Sequence, residues 1–197
     1  MILSNEGIRE ALAAGHLKID PPPGEDQYTT SAVDLTLGRD FREWNPDLFD
    51  VPGARVDLNL ADQEFHSTAR AYLRPCSLEA DGAFVLAPYP ARRRHVLAIT
   101  REKVHLDRAA RLAARVEGRS SLARLDLIVH LTAPTIHAGF NGNITLEMVN
   151  IGPFYLRLVP ERTRICQLIV ERLESEPSGD IKTQFQGQTQ PSGEIAP

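Results

Sequence analysis

The second half of this 197-residue chain constrains its fold more than any other feature. GAFVLAPYP (82–90), HVLAITREKVHL (95–106), LDLIVHLTA (125–133), GNITLEMVN (142–150), FYLRLVP (154–160) and RICQLIVERLE (164–174) follow in quick succession. Each is short, apolar or alternating, and bounded by Gly, Pro, Asn or Asp. Strands at that spacing argue for an all-β sandwich or barrel. SAVDLTLG, Ser31 to Gly38, adds an earlier strand. Its Val33, Leu35 and Leu37 alternate with polar residues, which predicts one face in the core and Asp34 on the other.

The rest is less regular. Ser4 or Asn5 can cap a short helix carrying Ile8, Ala11 and Leu12 on one face, with Gly15 as its stop. PPPGED (21–26) reads as a loop, and 41–62, with Trp44, Pro46 and Pro52, as loops and strand fragments. RAARLAARVEG (108–118) suits either a helix or a strand. Arg92-Arg93-Arg94 reads as a solvated turn. After Glu174 the chain turns polar and rich in Gln, Gly, Ser and Pro. The organisation expected is one domain over 1–174 and a mobile tail over 175–197.

With 42% apolar residues, a chain of this length can bury a core without disulfides or a structural metal. The formal net charge is −4, which supplies no global field for polymeric nucleic acid. No segment approaches the roughly 18 consecutive apolar residues of a membrane span. The N-terminus lacks a signal-peptide pattern. Cys76 and Cys166 fit a reduced protein, with a single disulfide also open. A cytoplasmic location is expected.

Familiar chemical signatures are missing. Pro75-Cys76 is followed by Ser77-Leu78-Glu79, and Cys166 stands alone, so the P-C-x-x-C of zinc deaminases is absent and no zinc site is expected. There is no phosphate loop, dinucleotide fingerprint or nucleophile elbow. What remains is VEGRSSLARLDL. Arg119 and Arg124 offer paired donors for oxyanions, and Ser120 and Ser121 add hydroxyls beside Gly118. The same residues would also suit a surface turn with ion pairs. Further on, strand alternation puts Ile144, Leu146 and Met148 on one face and Thr145, Glu147 and Val149 on the other. Glu147 is either solvated or buried; if buried, its carboxyl shifts up toward the range of a proton shuttle.

Taken together, VEGRSSLARLDL…HLTAPTIHAGFNGNITLEMVN…RICQLIVERL…FQGQ resembles the dCTP deaminase family of the dUTPase-like superfamily, over about Ile2 to Gln188. The resemblance is densest over 116–150 and thinnest over 40–80. It implies a distorted, jelly-roll-like β-barrel, a homotrimer with sites between subunits, and a C-terminal tail closing over the nucleotide. It implies a catalytic set of Glu147, Ser120 and Arg124. Substrate contacts would come from Arg119, Ser120, Ser121, Arg124, His137, Thr145, Glu147, Gln167 and Gln188. The partners implied are dCTP and dUTP, with dTTP as a candidate inhibitor, and the cofactor is magnesium travelling with the triphosphate.

Three positions depart from the family pattern. The family's I-D-x-G reads Ile136-His137-Ala138-Gly139 here, Thr135 stands where some members carry arginine, and the tail reads Gln184-Phe185-Gln186-Gly187-Gln188 without its lysine. Lys182 lies two residues earlier. The related aspartate activates water for attack on the α-phosphate, so His137 argues against dUTP or dCTP diphosphate hydrolysis and for a deaminase releasing dUTP and ammonia. A diphosphatase or bifunctional dUMP-forming enzyme, and a nucleotide-binding relative without turnover, are the alternatives.

Overall fold

Ser4 caps the first helix, α1 (Asn5–Ala13), by accepting a hydrogen bond from Gly7 N–H at 3.3 Å. Ile8 and Ala11 are buried, Leu12 packs against the core, and Gly15 follows with φ +73°. This is a computed structural model that describes residues 1–53, 55–61, 65–89, 91, 95–179 and 183–193, apart from the side chains of 49 and 50. The arginine run 92–94 and Lys182 lie outside the described residues.

After α1 come β1 (Leu17–Asp20), a 3-10 turn (Glu25–Gln27), β2 (Val33–Trp44), α2 (Asp47–Asp50), α3 (Phe65–Tyr72) and β3 (Leu73–Pro75). Then follow β4 (Phe84–Leu86), β5 (Val96–Leu106), β6 (Leu112–Gly118), α4 (Ser120–Ala123), β7 (Leu127–Ile128), β8 (Thr135–Ile136), β9 (Asn141–Asn150), β10 (Leu156–Leu158) and β11 (Arg164–Arg172). The order of the main sheet is β7-β9-β5-β2-β11-β6-β8, with β1 added to β5 and β3 to β2; β10 and β4 pair separately. The named pairings are antiparallel, and the β2–β5, β5–β9 and β2–β11 registers each shift part-way along. Such irregularities bend and twist strands, and they curl this sheet toward a barrel. The predicted all-β class holds.

The core is built as the alternation predicts. Val33, Leu35 and Leu37 of β2 and Leu146 and Met148 of β9 are fully buried, and Phe41 stacks on Phe84 with centroids 4.3 Å apart. Each such large side chain contributes on the order of 1.5–3 kcal/mol by leaving water. One bulge is polar: Thr100 Oγ1 donates to Glu102 O at 2.8 Å and accepts from Ile144 N–H at 2.9 Å. The carboxylate of Glu102 accepts from Thr36 N–H at 2.8 Å, so the shifted register leaves these backbone groups paired.

Three sequence expectations need correction. The strand read over 31–38 runs on to Trp44, and its second face is buried too, with Asp34 only 4% exposed because Arg119 and Gln167 cover it. The strand read over 125–133 shrinks to Leu127–Ile128, because 120–126 turns through α4 and Asp126 at φ +60°. FYLRLVP forms a strand only at Leu156–Leu158, where β10 meets the three-residue β4. Beyond the stretch read as loops, the thinly matched 40–80 region also contains α3, for which no element was expected and whose Ala69 packs with Leu73 and Leu97. The undecided stretch 108–118 is strand β6 from Leu112, since β11 pairs with it along its whole length. Both cysteines are free thiols, and Cys166 is buried.

Candidate active site

Glu147 sits near the middle of β9, on the face away from Leu146 and Met148. Its neighbours are set by the strand order. On the β5 side, register places Leu97 directly opposite it. On the β7 side, the chain beyond Ile128 runs alongside, and Leu131 N–H donates to Glu147 Oε2 at 3.3 Å. The carboxyl is half-buried. Burial pushes its pKa up, against the smaller opposing effects of the Leu131 hydrogen bond and nearby His130. The carboxyl is thus partly withdrawn from water, between the two alternatives.

Glu147 opens into a cavity of about 560 Å³. Thr145, Thr135, His137 and Gln188 line it with Glu147. Thr145 Oγ1 is buried with no hydrogen-bond partner among the described residues, so it is available to a ligand. His137 is exposed at its rim. His95 and Thr183 also line it, and the larger side chains of the remaining wall are apolar: Trp44, Phe65, Leu97, Ile136, Phe140 and Phe185. Sequence reasoning named none of these six as site residues. Trp44 and Phe65 fall in the thinly matched region, and Leu97 reads only as one apolar residue among many in a strand.

Part of the cavity wall is the tail. Gln186, Gly187 and Gln188 lie against the start of β9. Asn143 N–H donates to Gln188 O at 2.9 Å, and Gln188 Nε2 donates to Asn143 O at 2.7 Å. Gly187 N–H donates to Asn141 O at 2.7 Å, and Arg42 donates to Gln190 Oε1 at 3.2 Å. Phe185 meets Phe65 edge-on, centroids 5.5 Å apart. Gly142 is required by this approach: a Cβ there would lie 3.2 Å from both Gln188 N and Gln188 O. Gln188 ends only 5% exposed.

The cationic motif lies elsewhere. Arg119, Ser120, Ser121, Arg124 and Gln167 do not line this cavity. Arg119 is held by Asp34 at 3.2 Å and donates to Arg164 O at 3.3 Å, while Gln167 Nε2 donates to Asp34 Oδ1 at 3.0 Å. Buried Asp34 thus fixes two expected nucleotide contacts at one place, a role the sequence reading did not give it. Ser120, Ser121 and Arg124 are exposed on and just after α4. One chain therefore presents an acid at a largely apolar cavity and, outside its lining, an arginine–serine cluster. Among the described residues no group of three or more His, Cys, Asp or Glu is placed to hold a metal ion.

A sequence profile of the dCTP deaminase-like family matches residues 2–173. The chain is 36% identical over 196 residues to a Methanosphaera stadtmanae protein named dCTP deaminase, dUMP-forming, covering 96% of this chain and 91% of the relative. It is 41% identical over 180 residues to the dCTP deaminase of Rhodospirillum rubrum, covering 90% and 86%. A crystal structure of 2'-deoxycytidine 5'-triphosphate deaminase from Agrobacterium tumefaciens shares the fold, with TM-score 0.61 at 22% identity over 86% of this chain. This chain spans about half the length of that one, 47%. With a profile and relatives of this extent, the chain belongs to the dCTP deaminase-like family.

Proposed function

We propose that this protein is a hydrolase that deaminates dCTP, with Glu147 as its general base and acid. The observation that carries this is the half-buried carboxyl, its pKa raised by burial, facing a cavity of nucleotide size. Water attacks C4 of the cytosine and Glu147 takes its proton. The C4–N bond then breaks. Of the water's two protons one leaves with the amino group as ammonia and one stays on N3. Ser120 positions the water, and Arg124 orients the glutamate and stabilises developing charge.

This assignment needs the two half-sites together, and a second copy of the chain supplies the missing one. We infer a homotrimer with its sites between subunits, Arg119, Ser121 and Gln167 of one copy meeting Thr145, Glu147, His137 and Gln188 of the next. Exposed apolar side chains support such an assembly: Leu125, Ile151, Phe154 and Tyr155 cluster around the β7–β9 end. Magnesium would be held mainly by the triphosphate oxygens. There it would neutralise phosphate charge. The tail would open for entry and close to exclude water.

The product has two readings. Release of dUTP is favoured by His137, which stands where related diphosphatases use an acid. Release of dUMP is favoured by relatives named dUMP-forming, from Methanosphaera stadtmanae and Halobacterium salinarum, and on that ground it is the preferred one. Incubation with dCTP and magnesium separates them. Ammonia with pyrophosphate supports dUMP formation, and ammonia alone supports dUTP. Tight nucleotide binding with neither product would make this a binding protein.

A further inference from the structure

The cavity beside Glu147 is polar on one flank and apolar on the other. Thr145 and Glu147, with the segment beyond β7 that carries Thr135 and His137, form the polar flank. On the β5 side, Leu97 stands directly across from Glu147, and Trp44 and Phe65 pack against the cluster of Ala69, Leu73 and Leu97. A cytosine ring has the same asymmetry. O2, N3 and the amino group occupy one edge, and C5 and C6 carry only hydrogen on the other. With the polar edge on the polar flank and C4 at Glu147, C5 faces Leu97.

Leu97, Phe65 and His95 line the same cavity. The apolar flank also contains one misplaced polar atom. His95 immediately precedes β5, two residues before Leu97, and its Nε2 is buried with no hydrogen-bond partner among the described residues. Burial lowers the pKa of this imidazole, so it is neutral near pH 7 and can donate or accept. An orphaned polar atom on a cavity wall calls for a partner, which a ligand can bring.

We propose that the preferred substrate carries a substituent on C5 of its cytosine, and that a hydroxymethyl group fits best. Its methylene lies against Leu97 and Phe65, and its hydroxyl meets His95 Nε2. This inference rests on the deaminase reading and names the substrate class of the same site. The reaction is unchanged in its atoms: water adds at C4, ammonia leaves, and the C5 substituent stays in place.

The test compares ammonia release by the full-length protein from the triphosphates of deoxycytidine, 5-methyldeoxycytidine and 5-hydroxymethyldeoxycytidine. Expected is a kcat/KM for the hydroxymethyl nucleotide at least about tenfold above dCTP, with the methyl nucleotide between. Any smaller ratio overturns the inference, while ammonia from dCTP alone still upholds the deaminase. His95→Phe should erase the advantage of hydroxymethyl over methyl; an unchanged ratio removes His95 from the site. Leu97→Phe should fill the annex and turn preference back to dCTP. If that variant does not fold, the wild-type ratio and His95→Phe decide. If no nucleotide yields ammonia, the deaminase reading fails. Calorimetric binding of the same three then decides the annex: tighter binding of the substituted pair upholds it, and equal binding sinks it.

Discussion

Asp34 holds Arg119 in an ion pair at 3.2 Å, from a position almost wholly shielded from water. The acid is buried and the guanidinium about one-third exposed, at 5% and 31% of their side chains. Removing the acid therefore frees a cation that water can still reach. Asp34→Ala should cost about 1–3 kcal/mol of stability, the scale of a lost buried hydrogen-bonding partner, measured by denaturant unfolding. If Arg119 grips phosphate, KM for dCTP should rise about tenfold, a change of roughly 1.4 kcal/mol, with kcat moving less. An unchanged KM would leave Asp34 with a purely structural part.

Glu147→Gln should keep nucleotide binding and lose ammonia release by about 10²–10⁴-fold, the span of a positioned acid–base group. Turnover at the wild-type rate would take Glu147 out of the chemistry. The pH dependence has a definite sign. The carboxyl is raised by burial in the folded chain, so the folded state binds its proton more tightly than the unfolded state. Stability from this group is then lost as pH rises from the usual glutamate range, about 4.3, through the raised folded value. The variant should melt higher than wild type at neutral pH, and the two should converge below about pH 4. The acid limb of kcat/KM should lie above the ordinary carboxylate range.

Gly142→Ala tests the docked tail. Its new methyl would press on the Gln188 backbone and disturb the reciprocal hydrogen bonds with Asn143. Losing one or two such bonds, about 1 kcal/mol each, should lower kcat/KM roughly tenfold. Hydrogen exchange should quicken over 183–193 and stay slow in β9. Equal exchange in the tail of both proteins would mean that this packing does not set closure.

Ser4→Ala removes the cap of α1 and should destabilise by about 0.5–2 kcal/mol without touching activity. Thermal melting beside a dCTP assay checks both halves of that statement.

The parts of the fold set by local period were legible. Alternation over Asn141–Asn150 placed Glu147 on its correct face, and the Ser4 cap and Gly15 stop bracket α1 as read. What stayed hidden depends on distant partners. Asp34 looked like the solvent side of a strand because nothing local announces that Arg119 and Gln167 will cover it. Leu127–Ile128 shortened because the turn at Asp126 ties to Ile151 N–H, a contact across the chain. The apolar side of the cavity was missed for the same reason. Trp44, Phe65, Leu97 and Phe185 come from β2, α3, β5 and the tail, and only packing brings them together.

The proposed division of the site between subunits has a direct test. Arg119→Ala and Glu147→Gln should each be nearly inactive alone, the first lacking its phosphate grip and the second its acid–base group. If a site takes Arg119 from one subunit and Glu147 from the next, a mixed trimer can restore it. A site is intact when a Glu147→Gln subunit supplies the arginine half and an Arg119→Ala subunit supplies the glutamate half. Random reassembly of equal amounts makes that pairing in about a quarter of sites, as cyclic symmetry with repeated identical contacts requires. Co-refolded or co-expressed mixtures should therefore recover about one quarter of wild-type ammonia release, while the two proteins merely combined without subunit exchange recover none. No recovery in mixtures shown by mass to be hybrid trimers would put both halves in one subunit. The arginine cluster, which does not line the cavity in the single chain, would then have to reach it by a rearrangement within that chain.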